Sequence, residues 1–179
     1  LPEGAVILIE NVEQALSVQV PDPENLAYAT QTTLSLRETE DVVSALKRRF
    51  PSIVGPRRED ICYATTNRQR AVEAIAPKAD LTLIIGAPNS SNSMRLVEVA
   101  RAAGCPRAAL VQNAREMDWR LLDGVRAVAI SAGASAPEDL VDELIAACRQ
   151  RRAVTVEEVT LVREDVSFRT PPIPMRQAS

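Results

Sequence analysis

The chain has 179 residues, a net charge of −3, 46% hydrophobic residues and 3% aromatic residues. This length supports one large or two small domains with a buried core. The slightly acidic balance argues against a protein that binds nucleic acid through charge alone. Since we find neither an apolar run of about 20 residues nor a signal-peptide pattern, we expect a cytoplasmic protein.

Histidine is absent, which excludes a histidine base or metal ligand from this chain. Cys62, Cys105 and Cys148 are odd in number and widely spaced, which excludes a disulfide framework and any CxxC site. We therefore expect a reducing compartment. Because the first residue is Leu1 and an apolar run begins at Ala5, we also expect a piece of a longer protein.

Short apolar runs alternate with amphipathic stretches along the chain. The predicted strands are apolar on both faces, as buried parallel strands are, and cover 5–9, 26–30, 81–85, 108–111 and 127–130. Apolar residues at helical spacing predict helices around 42–50, 71–76, 96–103 and 141–148, and Gly104 is expected to end the third. This alternation predicts an α/β fold of three-layer lobes around parallel sheets.

The segment 50–60 is rich in proline and adjacent positive charges, and it predicts a boundary. We expect an incomplete α/β lobe at 1–58, a more complete lobe at 59–150 and a C-terminal tail at 151–179. Alternating apolar residues between Val154 and Phe168 predict an edge strand in the tail, which the prolines from Pro171 onwards would end.

Uncharged polar residues occupy four places where a helix is expected to begin, at 30–33, 62–67, 86–93 and 131–137. Ligands of open α/β sheets bind outside the carboxyl ends of the strands. Helix N-termini with hydroxyl and amide donors suit an anion there, most often phosphate. The four segments therefore predict a site for a phosphate-bearing ligand.

Helix capping is the alternative interpretation of the same residues. Ser135 with Glu138, and Thr66 with Gln69, have the spacing of a capping box. The polar run 89–93 is longer than a cap requires, so both interpretations stay open from the pattern alone.

The three cysteines have different sequence contexts. Cys148 lies on an apolar helix stripe and is expected in the core, and Cys105 lies in a turn away from the ligand edge. Cys62 lies at the ligand edge, where it is either inert, a nucleophile or a metal ligand.

Five segments, in order, resemble the 4-hydroxy-3-methylbut-2-enyl diphosphate reductase (LytB) family. They are ATQTTLS at 29–35, IVGPR at 53–57, DICYATTNRQ at 60–69, NSSNS at 89–93 and AGASAP at 132–137. Members of this family have three α/β lobes around a central 4Fe–4S cluster. The resemblance extends over 26–168 and implies the third lobe and an incomplete second one.

The resemblance also implies a site. Cys62 matches the third of the family's three cluster cysteines. Positions that hold the substrate's diphosphate are matched by Thr32, Ser90, Ser91, Asn92 and Ser135. The implied reaction is reductive dehydroxylation to isopentenyl and dimethylallyl diphosphates, the last step of the non-mevalonate isoprenoid pathway. A ferredoxin- or flavodoxin-type donor supplies the electrons.

The family's proton-donating glutamate and its histidines lie upstream of Leu1, and Glu3 and Glu10 do not match that glutamate. We therefore expect no catalytic residue in this chain, and neither activity nor a cluster in the chain alone. Two alternatives are an α/β binding module for a phosphorylated small molecule, and a phosphosugar or nucleotide-sugar transferase. The transferase would need an aspartate pair or a basic clamp at the ligand edge, and Asp80 and Asp123 are predicted at the opposite ends of strands.

Overall fold

The computed structural model describes residues 4–56 and 61–161. The N-terminal unit, residues 4–56, contains helices α1 (Val12–Ser17) and α2 (Leu36–Arg49). The second unit, residues 61–151, contains α3 (Tyr63–Ile75), β1 (Leu81–Ile85), α4 (Ser91–Ala102), β2 (Ala108–Val111), β3 (Val128–Ala132) and α5 (Asp139–Arg151). Within these described ranges, no helix is long and apolar enough to cross a membrane.

The second unit is built on a parallel sheet with the strand order β2-β1-β3. The central strand β1 is buried along its whole length. Ile84 packs with Val72 of α3 and Leu96 of α4, whereas Leu83 packs with Leu144 of α5 on the other face. The predicted α/β fold with a parallel sheet between helical layers is therefore confirmed.

The four predicted helices are confirmed as α2, α3, α4 and α5, and the predicted strands 81–85 and 108–111 are confirmed as β1 and β2. The strand predicted at 127–130 is β3, which lies at Val128–Ala132. Gly104 ends α4 as expected. Its φ is +99°, its N–H donates to Arg101 O at 3.0 Å, and the N–H of Cys105 donates to Ala100 O at 3.1 Å. These two hydrogen bonds form a Schellman motif.

The strand prediction for 5–9 is wrong, and that for 26–30 holds at one residue. Residues 6–10 have no regular structure, and Leu8 is 75% exposed. In 26–30, Ala27 makes a single parallel bridge to Val54. A strand is stable only when a neighbour accepts and donates its backbone hydrogen bonds. The described residues provide such a neighbour for Ala27 alone.

The tail strand is likewise not formed between Val154 and Leu161, whose side chains are 41% and 50% exposed. No other strand lies beside them within the described part of the chain. The rest of that prediction, 162–168, and the predicted boundary at 58/59 lie outside the described residues.

Candidate functional site

Two glycines bring the first turn of α4 against the carboxyl edge of the sheet. Gly86 continues β1, with its N–H donating to Val111 O at 3.1 Å, and Gly133 follows β3, with its N–H donating to Ile85 O at 2.8 Å. A Cβ atom at either glycine would collide with Ser93. The missing side chains therefore allow α4 to begin directly over the ends of β1 and β3.

Ser90 caps α4 and leaves donors at its N-terminus. The Ser90 hydroxyl oxygen accepts from the N–H of Ser93 at 3.3 Å and from the Ser93 hydroxyl at 3.0 Å. The N–H groups of Ser91 and Asn92 have no acceptor within the helix. Together with the helix dipole they favour an anion at this edge. Capping and ligand binding are compatible at Ser90, since its own hydroxyl hydrogen can still donate.

Asn92 carries the clearest indication of a ligand. Its side chain is 8% exposed, and neither Oδ1 nor Nδ2 has a hydrogen-bond partner among the described residues. Its Nδ2 lies 3.6 Å from the position of a Cβ at Gly133, so the amide lies next to the end of β3. Buried amides are almost always hydrogen-bonded. An orphaned amide at a helix N-terminus therefore indicates a group that binds there.

Ser135 does not cap α5, and the capping-box prediction for it is wrong. It lies in a turn closed by the N–H of Ala136 donating to Gly133 O at 3.0 Å, and α5 begins only at Asp139. The N-cap of α5 is Glu138, without a side-chain hydrogen bond. The exposed Ser135 side chain therefore follows the end of β3, two residues after Gly133.

Cys62 and Thr32 lie side by side at a second helix N-terminus. Cys62 is the N-cap of α3 and is exposed, and no side chain caps this helix. The N–H of Cys62 donates to Thr32 O at 3.4 Å, which joins the two units. Thr66 lies inside α3, so its predicted capping role is also wrong. Its N–H donates to Cys62 O at 2.9 Å, as in any first turn.

The other two cysteines are structural. The Thr82 hydroxyl donates to the sulfur of buried Cys105 at 3.2 Å, and the Cys105 thiol donates to Arg107 O at 3.1 Å. Cys148 packs against the α5 core, as predicted, and desolvation raises the pKa of its thiol. Within residues 4–56 and 61–161, no three His, Cys, Asp or Glu side chains are placed to share a metal ion. The exposed free thiol of Cys62 suits one ligand position of an iron–sulfur cluster, and the described residues do not supply a complete ligand set.

The two groups of site residues are linked through the helices that carry them. α3 and α4 pack together through Val72 and Leu96. Arg95 of α4 forms an ion pair with Glu38 in the first turn of α2 at 3.0 Å and with Glu98 at 2.7 Å. The structure thus places Thr32 beside Cys62, and Asn92 beside the loop that carries Ser135. No hydrogen bond or ion pair between side chains joins the two groups within the described residues.

The aspartates required by a transferase lie away from this edge. The Asp80 carboxylate accepts from the N–H groups of Arg126 and Ala127 at 2.9 Å and 3.0 Å, just before β1 and β3 begin. Those bonds hold its pKa below the ordinary value. Asp123 is exposed, and its Oδ1 lies 3.9 Å from Nη2 of Arg152. Both therefore lie before strands, as predicted, and not at the carboxyl edge.

The second unit is a three-layer α/β lobe with a polar site at the carboxyl edge of its sheet. The model of the family described as "LytB protein" matches residues 2–149, and the chain belongs to this family.

Two similar proteins are named 4-hydroxy-3-methylbut-2-enyl diphosphate reductase. That of Ruegeria sp. (strain TM1040) is 60% identical over 171 residues, covering 96% of this chain and 54% of its own length. That of Cereibacter sphaeroides (strain ATCC 17025) is 60% identical over 179 residues, covering 100% and 56%. The chain therefore spans about half the length of the curated relatives it matches.

A solved structure is also similar to this one. It is the E-1-hydroxy-2-methyl-but-2-enyl-4-diphosphate reductase from Plasmodium falciparum, with 35% sequence identity and a TM-score of 0.71. The similarity covers 77% of this chain and 43% of that one.

Proposed function

We propose that this chain is the part of a 4-hydroxy-3-methylbut-2-enyl diphosphate reductase that holds the substrate's diphosphate and donates one cysteine to an iron–sulfur cluster. The whole enzyme would reduce that substrate to isopentenyl and dimethylallyl diphosphates. The observation that carries this proposal is the buried amide of Asn92, which has no partner at the N-terminus of α4. The names of the relatives supply the identity of the substrate.

The diphosphate is bound by neutral donors. The donors are the N–H groups of Ser91 and Asn92, the Asn92 amide and the Ser90 hydroxyl at the start of α4, and the Ser135 hydroxyl in the loop after β3. Arg95, the nearest cation along α4, is already paired with two carboxylates. The positive end of the helix therefore supplies the electrostatic attraction. Thr32 adds a hydroxyl from the side of Cys62.

Cys62 is the one ligand that this chain contributes to the 4Fe–4S cluster, and the remaining ligands come from the part of the protein outside it. The exposed sulfur at the α3 N-terminus suits this role, since free N–H groups there stabilise an anionic, metal-bound thiolate. When bound, the cluster supplies the electrons, which it receives from a ferredoxin- or flavodoxin-type donor. The residues of this chain bind the diphosphate and orient the substrate beside Cys62.

Calorimetric titration of the chain with inorganic pyrophosphate tests the diphosphate site. Asn92→Ala is expected to weaken binding on the order of 10- to 100-fold, since a hydrogen bond to a charged group contributes about 1.5–3 kcal/mol. Met94→Ala, an exposed change on the same helix, is the matched control and should leave the affinity unchanged. Equal affinities of the Asn92→Ala and Met94→Ala variants would contradict the assignment.

Anaerobic iron and sulfide reconstitution of the full-length protein tests the cluster ligand and the reaction. Cys62→Ala should lose bound iron and substrate turnover, whereas Cys148→Ala, a change in the α5 core, should keep both. The chain alone should give no product. A full-length protein that binds pyrophosphate but neither binds iron nor converts the substrate would instead be a binding module for a phosphorylated small molecule.

A further inference from the structure

Gln69 joins α3 to the N-terminal unit with both ends of its amide. It lies on α3, is 1% exposed and belongs to the segment DICYATTNRQ. Its Nε2 donates to Leu34 O at 2.8 Å, and its Oε1 accepts from the N–H of Leu36 at 3.0 Å. The glutamine expected to cap its own helix therefore caps α2. The side-chain amide supplies both the donor and the acceptor that this arrangement uses, whereas a carboxylate would supply acceptors alone.

A second hydrogen bond, from the N–H of Cys62 to Thr32 O, also joins α3 to the N-terminal unit. Gln69 follows Cys62 by seven residues, which is two helical turns, so the two lie on one face of α3. The Cys62 N–H meets Thr32 O, and the Gln69 amide meets Leu34 and Leu36. The segment 32–36 is thus held to α3 at two levels. The bond between Cys62 and Thr32 joins the proposed cluster ligand to one of the proposed diphosphate residues.

Among the described residues, the other hydrogen bonds of the first turn of α2 do not reach α3. The N–H of Glu38 is used by the Ser35 hydroxyl at 3.4 Å, and the N–H of Thr39 by Ser35 O at 3.0 Å. Those bonds are internal to α2 and say nothing about its position on α3. The Arg95–Glu38 ion pair does cross between the units, but Glu38 is 72% exposed, and such pairs contribute little.

We propose that Gln69 is a positioning residue that fixes Thr32 relative to Cys62, and so sets the distance between the bound diphosphate and the cluster ligand. This proposal rests on the proposed function. Losing the amide bonds would let 32–36 shift on α3 without removing any group that touches the substrate. A misplacement of about 1 Å at a site of this kind can reduce the rate on the order of 100-fold.

Two variants of the full-length protein remove the link from opposite sides. Gln69→Met keeps the shape and removes the amide. Leu36→Pro removes the N–H that donates to Gln69 Oε1, together with the leucine side chain, and leaves the bond from Gln69 Nε2 to Leu34 O. It lies at the first position of α2, where proline is tolerated. The preceding residue, Ser35, already has the extended conformation that proline requires, with φ −64° and ψ 128°. Leu36→Ala controls for the lost side chain, and Val72→Ala, in the core face of the same helix, controls for lost stability.

The readouts are the dissociation constant of inorganic pyrophosphate with the cluster-free protein, KM and kcat with the cluster reconstituted, and the melting temperature. Gln69→Met and Leu36→Pro should each weaken pyrophosphate binding about tenfold and lower kcat more than stability alone explains. The double variant should bind no more weakly than Gln69→Met, because Leu36→Pro removes a bond that Gln69→Met has already removed. Leu36→Ala and Val72→Ala should keep the wild-type dissociation constant.

Wild-type binding and kcat in both link-breaking variants would overturn the positioning role, as would an equal loss of affinity in Val72→Ala. If Gln69→Met does not fold, Leu36→Pro against Leu36→Ala decides the question. A wild-type protein that binds pyrophosphate but does not reduce the diphosphate substrate refutes the proposed function, while the affinities of the variants still decide the role of Gln69. A wild-type protein that does not bind pyrophosphate overturns both.

Discussion

Two five-residue apolar segments of similar composition adopt different structures. Residues 5–9 read AVILI and residues 81–85 read LTLII. The second is β1, buried at every position between two parallel neighbours. The first has no regular structure, and Val6 and Leu8 are 72% and 75% exposed. An apolar run therefore becomes a strand only when flanking strands bond its backbone and helices cover its faces.

The same contrast extends to the two units as a whole. The second unit has a core on each face of its sheet, and these cores fix the carboxyl edge to which α4 is attached. The N-terminal unit has one small core around Ala45, Leu46 and Phe50, and a single bridge. The half of the proposed site that carries Asn92 therefore lies on the unit with the larger core. The half that carries Thr32 depends on bonds to α3.

Truncation of one leucine in each segment should give the largest difference in the free energy of unfolding. Leu83→Ala is expected to lower the free energy of unfolding by about 2–5 kcal/mol, because it leaves a cavity under α5. Leu8→Ala should change it by less than about 0.5 kcal/mol, since the side chain is mostly exposed. Urea unfolding of the chain measures both. A large loss in Leu8→Ala would mean that 5–9 is covered in solution, and would remove the contrast.

Glycine replacements sharpen the comparison at the level of single contacts. Gly133→Ala should destabilise by about 1–3 kcal/mol, because its Cβ would overlap the hydroxyl of fully buried Ser93. Gly55→Ala in the N-terminal unit should be milder, since its Cβ meets the half-buried ring of Tyr28, which can move aside. Thermal unfolding compares the two.

Ser93→Ala provides the control for Gly133. It removes the overlapping oxygen and leaves the Ser93 Cβ 3.3 Å away, so it should recover much of the loss in Gly133→Ala. It should not rescue Gly86→Ala, whose Cβ would lie 2.6 Å from the Ser93 Cβ itself. Equal rescue at both glycines would contradict this account of the sheet edge.

The sequence was sufficient where local pattern and tertiary environment agree. The stripe of Leu96 and Ala100 followed by Gly104 predicted α4 and its end, because helix period and C′ glycine are local properties. The strand predictions at 5–9 and 154–161 used equally local evidence and were wrong. Whether a neighbouring strand exists is decided by segments far away in the chain, which alternation cannot report.

The sequence indicated which segments contain the candidate site residues, but not the hydrogen bonds that hold those segments in place. The polar run 89–93 was expected at the carboxyl edge of the sheet and lies there. The separate roles of Ser90, which caps α4, and of Asn92, whose amide has no partner among the described residues, depend on tertiary contacts that the pattern does not show. The capping spacing misled at Ser135 and Thr66, because the true starts of α5 and α3 lie elsewhere. Gln69 was missed as a link, since its partners are 33 and 35 residues away.

Cap replacements should give a smaller effect that separates these roles. Ser90→Ala, in the second unit, should lower the free energy of unfolding by about 1 kcal/mol, because it removes the N-cap of α4. Ser35→Ala should give a similar loss at α2. Ser135→Ala should leave stability nearly unchanged and weaken pyrophosphate binding. Calorimetry with and without pyrophosphate tests this, and a loss of stability in Ser135→Ala equal to that in Ser90→Ala would restore the capping interpretation.

The smallest expected change in the free energy of unfolding comes from two aspartates, Asp80 and Asp22, whose pKa values are both lowered. Asp80 accepts backbone hydrogen bonds from Arg126 and Ala127, 46 and 47 residues away, whereas Asp22 accepts from the Asn25 amide and the Glu24 N–H within its own turn. Asp80→Asn should therefore lower the global free energy of unfolding at neutral pH, and Asp22→Asn should barely change it, because a turn of this length can open locally.

The pH dependence of that difference identifies its cause. The pKa of Asp80 in the folded chain lies below its ordinary value of 3.8, so the folded state binds fewer protons than the unfolded state as the pH falls through this range. The stabilisation from the charged carboxylate is complete well above pH 3.8, declines as the pH approaches 3.8, and is lost as the pH falls through the lower folded value. The gap between wild type and Asp80→Asn should thus be constant from neutral pH to about pH 5 and should narrow below it. Urea unfolding at a series of pH values measures the gap. A gap that stays undiminished in acid would assign the effect to the shape of the hydrogen bonds and not to the charge.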